Sequence, residues 1–131
     1  MAEILLVAQA WKLRTMVRAQ LLEEGFEVQA WPSLALALAH LARGGGQPRA
    51  TILDLQGLDP EASAILDLWQ LTGRAPLILC GGLLSHSILS QEGLPPVTVL
   101  LRPFRVADVI AEVRRHLACP EGAPRAGEGS S

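Results

Sequence analysis

The sequence predicts an α/β protein of the doubly wound kind, a five-stranded parallel sheet in (βα)5 order with helices on both faces. Three observations carry this. Four short, nearly continuous apolar runs recur along the chain: Ile4 to Val7, Ala50 to Leu55, Leu77 to Cys80 and Val97 to Leu101. Helical spacing of apolar residues fills the intervals between them. The alternation also begins on a strand. Continuous apolar runs of this length suit strands covered on both faces, and strand–helix alternation implies right-handed crossovers and parallel pairing.

Each element has its own signals. A weaker fifth strand candidate spans Phe26 to Trp31. In the first helix Leu13, Met16, Val17, Gln20, Leu21 and Glu24 share a helical stripe, and Gly25 suits the left-handed residue that closes it. Ser33 is a candidate N-cap for a second helix through Leu41, ended by Gly44-Gly45-Gly46. Asp59-Pro60-Glu61 places a cap, a first-turn proline and an acid in the order that starts a third helix, which carries Ile65, Leu68 and Trp69 to about Leu71. Leu83 to Gln91 is a short, poor helix candidate. Val106, Val109, Ile110, Val113 and Leu117 give a last helix with clean i, i+3, i+4 spacing.

Composition excludes several classes. The 131 residues suit one domain, expected over residues 1–119, with the Pro/Gly-rich stretch 120–131 as a disordered tail or linker. Half of the residues are hydrophobic and 18% are charged, which is enough apolar surface for a core. A net charge of −2 and an aromatic content of 4% give neither the basic footprint nor the stacking platform of a nucleic-acid binder. No run approaches the roughly 18 apolar residues of a membrane span, and the start Met1 to Val7 lacks the basic region of a signal peptide. A cytoplasmic protein without membrane contact is expected. Cys80 and Cys119 are too few for a disulfide framework or a zinc site. His40, His86 and His116 stand far apart, with no metal-ligand spacing among them, and His116 suits the dipole at the end of the last helix.

In sheets of this kind ligand sites form at the carboxyl ends of the strands. Those ends carry Ala8-Gln9, Asp54 with Gln56 beyond it, Gly81-Gly82 and Arg102. Together with the Arg102-Pro103-Phe104 turn and the lead-in Pro103 to Ile110, they make residues 3 to 118 resemble the receiver domain of two-component response regulators. The resemblance implies a flavodoxin-like sheet of order 2-1-3-4-5. It also implies five functional positions. An acidic pair after the first strand holds Mg²⁺, with a main-chain carbonyl as a further ligand, and an aspartate ending the third strand accepts a phosphoryl group. A Thr or Ser after the fourth strand and a Lys after the fifth bind its oxygens.

Onto these positions the chain places Ala8 and Gln9 for the acidic pair, Asp54 for the acceptor, Gln56 for the carbonyl ligand, Gly81 for the hydroxyl and Arg102 for the lysine. Val99 stands where the family has its switch aromatic. Only Asp54 keeps the family's residue type. Mg²⁺ is a hard cation that usually takes one or two carboxylates plus water, so no metal or other cofactor is expected to bind well. Arginine differs from lysine in being planar, forked and always charged, and Arg102 is expected to clasp Asp54 in bidentate fashion and neutralise it internally. Gly81-Gly82 reads as a turn needing positive φ, and Trp11 is placed to cover the altered acidic pocket.

Two readings of Asp54 follow: a phosphorylation site, or a residual acid held by hydrogen bonds, with the neighbouring departures weighing for the second. The expected function is therefore a non-enzymatic pseudo-receiver, a signalling module that works by protein–protein interaction. One alternative is a working phospho-accepting receiver in a phosphorelay. The other is a flavodoxin-like ligand-binding domain, which lacks a glycine-rich phosphate loop here. The expected partner is another signalling protein, and the family analogy suggests a homodimer through the last helix region.

Overall fold

A computed structural model describes residues 3–44, 46–56, 62–81 and 93–117. The strands are β1 (Ile4–Val7), β2 (Val28–Trp31), β3 (Ala50–Asp54), β4 (Leu77–Gly81) and β5 (Thr98–Leu101). The helices are α1 (Trp11–Glu23), α2 (Leu34–Ala42), α3 (Ala62–Leu71) and α4 (Val106–Leu117). All strand pairs are parallel and the order is β2-β1-β3-β4-β5, as the alternation and the resemblance predict. The expected helix over Leu83 to Gln91, the Asp59-Pro60-Glu61 start of α3, Gly45, Gly82, His86, Cys119 and the tail lie outside the described residues.

The sheet sorts its side chains with a period of two. Leu5, Val7, Leu53, Leu55, Leu77 and Leu79 face α2 and α3, where they meet Leu34, Ala37, Leu41, Ile65 and Leu68. Ile4, Leu6, Ile52, Ile78 and Cys80 face α1 and α4, where they meet Val17, Leu21, Val109, Ile110 and Val113. The three central strands are buried throughout, as continuous apolar runs require. The fourth run behaves differently: β5 is an edge strand whose residues alternate between half-buried and exposed. Its apolar residues do not mean burial on two faces: Val99 and Leu101 are 37% and 45% exposed.

Local chemistry sets the helix ends. Gly25 takes φ 94°, and the amides of Gly25 and Phe26 donate to the carbonyls of Leu22 and Leu21. This is the Schellman closure that a left-handed glycine permits. Ser33 Oγ accepts the Leu36 amide at 3.2 Å and caps α2. At the start of α4 the Asp108 carboxylate accepts the Arg105 amide at 2.8 Å, one half of a capping box. No helix among the described residues is long and apolar enough to cross a membrane.

Candidate functional site

The carboxyl ends of β1, β3, β4 and β5 converge on Asp54. It is the last residue of β3 and is paired in register with Cys80 of β4, and its side chain is 1% exposed. Arg102 follows β5 directly, and its amide donates to the Gly81 carbonyl at 2.7 Å, which ties it to the end of β4. From there its Nη2 donates to Asp54 Oδ1 at 3.0 Å. The Gln56 amide donates to the same oxygen at 3.3 Å.

The expected fork between Arg102 and Asp54 does not form. One nitrogen reaches one oxygen, while Asp54 Oδ2 and Arg102 Nε are buried with no hydrogen-bond partner among the described residues. The guanidinium carbon lies 4.9 Å from the centre of the Phe104 ring, so the cation divides its contacts between an aromatic face and a carboxylate. Neutralisation is correspondingly incomplete. Burial pushes the Asp54 carboxyl above the usual aspartate value, and the Gln56 amide and the Arg102 charge pull against it without prevailing. Neighbouring Cys80 is pushed up to about 12, first by burial and then by the Asp54 charge. It is a buried, inert thiol, as its place in an apolar run implies.

At the end of β1, Ala8 is buried and Gln9 is exposed. Their main-chain carbonyls both accept from Arg14 Nη1, at 2.8 and 3.2 Å. Sequence reasoning passed over Arg14. A signal was present: Arg14 lies in the first turn of α1, and helical side chains lean toward the N-terminus, here toward the end of β1. The crevice thus has one guanidinium on the β1–α1 loop and another on Asp54. Trp11, 64% exposed, does not seal it.

Gly81 is not a turn residue. It closes β4 as a buried strand residue in register with Leu101, and it is absent from the described positions with positive φ. No side-chain oxygen is offered at that point. Val99 is 37% exposed on β5, opposite Leu79. Asp54, Gln56, Gly81 and Arg102 are therefore joined by hydrogen bonds or register at one crevice, and Val99 stands out on the edge strand. His40 bonds Gln29 at 2.8 Å and lies against Trp31, whereas His116 bonds Thr98. Among the described residues no three His, Cys, Asp or Glu side chains form a group able to hold a metal ion.

No protein-family model matches the sequence, and no curated protein is significantly similar to it. Solved structures are similar in fold over most of the chain. The receiver domain of the hybrid histidine kinase CckA aligns with a TM-score of 0.68 at 21% identity, covering 88% of this chain and 99% of that one. The receiver domain of NtrX from Brucella abortus gives 0.70 at 22% identity, covering 88% and 98%. A response regulator receiver protein from Sinorhizobium medicae WSM419 gives 0.70 at 24% identity, covering 89% and 94%. With the strand order 2-1-3-4-5 and Asp54 at the end of the central strand, these likenesses show that the chain has the flavodoxin-like fold of response regulator receivers and is receiver-like in architecture.

Proposed function

We propose that this domain is a pseudo-receiver, which transmits a signal by binding another signalling protein in the cytoplasm and neither catalyses a reaction nor depends on a Mg²⁺-driven phospho-switch. The observation that carries this reading is the Arg102–Asp54 ion pair at 3.0 Å, in a crevice where Ala8 and Gln9 occupy the positions that the receiver family fills with an acidic pair. The donors do not fit a hard divalent cation. Among the described residues the site offers one carboxylate, a guanidinium already engages it, and a second guanidinium engages the Ala8 and Gln9 carbonyls at the end of β1. Without a divalent ion or a hydroxyl at Gly81, charge developing on a transferring phosphoryl group lacks its usual stabilisers. Loss of that hydroxyl also removes the side chain whose movement would report phosphorylation.

A phospho-accepting receiver is the second reading, and the intact Asp54 at the end of β3 favours it. Incubation with acetyl phosphate or beryllofluoride plus Mg²⁺, followed by intact-mass and peptide-level detection, separates the two. The expected result is no adduct at Asp54. A stoichiometric adduct there overturns the pseudo-receiver reading.

A further inference from the structure

We propose that His116 is a proton-operated latch fastening the edge strand β5 to the end of α4, closed when the imidazole is neutral and released when it is protonated. The latch stands apart from the Asp54 crevice. His116 lies in the last turn of α4, and its Nε2 is 3.0 Å from the Thr98 hydroxyl, at the first residue of β5. Arg115 Nη2 approaches both atoms, at 3.4 Å from Thr98 Oγ1 and 3.5 Å from His116 Nε2. A guanidinium can only donate. Its approach to Nε2 thus favours the tautomer with the ring proton on Nδ1, in which the single Nε2 lone pair accepts chiefly from the nearer Thr98 hydroxyl and is shared at longer range with Arg115.

A second proton, on Nε2, reverses this arrangement. The ring then has no acceptor to offer Arg115, and two like charges face each other across the same short contact. Thr98 Oγ1, already approached by Arg115, must take a second charged donor.

The groups that face His116 can be named. From its own helix these are Arg115, which disfavours the cation, and Glu112, which favours it. Glu112 is already engaged by Arg115, with Nε at 3.0 Å and Nη2 at 2.8 Å. Among the described residues of β5 it meets the uncharged Thr98. On the α1 side of α4, Glu24 is taken up by Arg114. Burial, then Arg115, hold the imidazole below the ordinary histidine value of 6.5, against the pull of Glu112. What the latch holds is exposed: β5 is an edge strand with Val99 and Leu101 turned partly to solvent.

The test is an NMR titration of the imidazole in the full chain, alongside hydrogen exchange of the Thr98 to Leu101 amides corrected for the intrinsic pH dependence. His116 is expected to titrate below 6.5, and Arg115→Ala and Thr98→Val are each expected to move its midpoint upward. Exchange in β5 is expected to quicken as pH falls through that midpoint, and the quickening is expected to be absent in His116→Gln, whose amide cannot take up the proton. Arg115 is an exposed side chain, so its variant keeps the fold and the comparison stands. A midpoint at or above 6.5, a midpoint unmoved by Arg115→Ala, or acid-quickened exchange that survives in His116→Gln would each overturn the proposal.

Discussion

Replacing Arg102 with alanine removes the guanidinium bonded to Asp54 and leaves the buried carboxylate, among the described residues, with the Gln56 amide alone. A hydrogen bond to a charged group is worth about 1.5–3 kcal/mol. The Arg102 side chain is 34% exposed, and solvent screening brings that contribution toward about 1–2 kcal/mol. The lost contact with the Phe104 ring adds about 0.5 kcal/mol. A total near 2 kcal/mol corresponds to a fall in Tm of about 8 °C for a domain of this size.

The pH dependence distinguishes this account from simple loss of bulk. The folded pKa of Asp54 lies above its ordinary value of 3.8, so the folded state holds the proton more tightly than the unfolded chain does. That stabilisation is complete below the unfolded value and is lost as pH rises through the folded value. Without Arg102 the folded value climbs further, so the loss grows and extends to higher pH. Urea unfolding of both proteins should therefore show their widest gap in mild alkali. In acid, with Asp54 protonated in both, the gap should shrink to the lost ring contact. A gap constant across pH, or an Asp54 carboxyl titrating identically in both proteins by NMR, would refute the assignment of Arg102 as its counter-charge.

Other outcomes test neighbouring parts of the structure. Placing carboxylates with Ala8→Asp and Gln9→Asp, together with Arg102→Lys, is expected to yield calorimetrically measurable Mg²⁺ binding, with none expected for the unaltered protein in the same titration. Arg14→Ala removes both bonds to the β1–α1 loop and should cost about 1 kcal/mol, with faster hydrogen exchange confined to residues 8–11. Ser33→Ala removes the α2 cap and should lower stability by about 1 kcal/mol in urea unfolding. Cys80, with its thiol pushed up to about 12, should resist alkylation while the protein is folded and react only on unfolding.

The fold was legible because its signals are local and mutually consistent. Apolar runs too short for helices mark β1, β3 and β4, while Gly25 and Ser33 mark the ends of α1 and α2 by chemistry that operates within a few residues. The exposure of β5 was not legible, since an apolar run does not say whether both faces of the strand are covered. Of the site, the convergence on Asp54 followed from strand ends alone, and Arg102 was placed by its position after β5. The geometry of their contact was not. Whether a guanidinium offers one arm or two depends on Phe104, three-dimensional neighbour of both the turn and the crevice. Arg14 escaped notice because its partners are main-chain carbonyls, which leave no mark in the identity of the residues that bear them. The helix-end place of His116 was legible, but its bond to Thr98 was not, because Thr98 lies 18 residues away along the chain.

The period-two sorting along β3 makes that strand a partition with different tenants on its two sides. Ile52 is seen by α1 and α4, and Leu53 by α2 and α3. Paired truncations at adjacent positions can therefore weaken either half of the molecule separately, while the hydrogen-bonded backbone between them stays common to both. A single-residue deletion in β3 offers no such choice: it would turn every following side chain of the strand toward the opposite chamber and carry the carboxylate at its end away from the crevice.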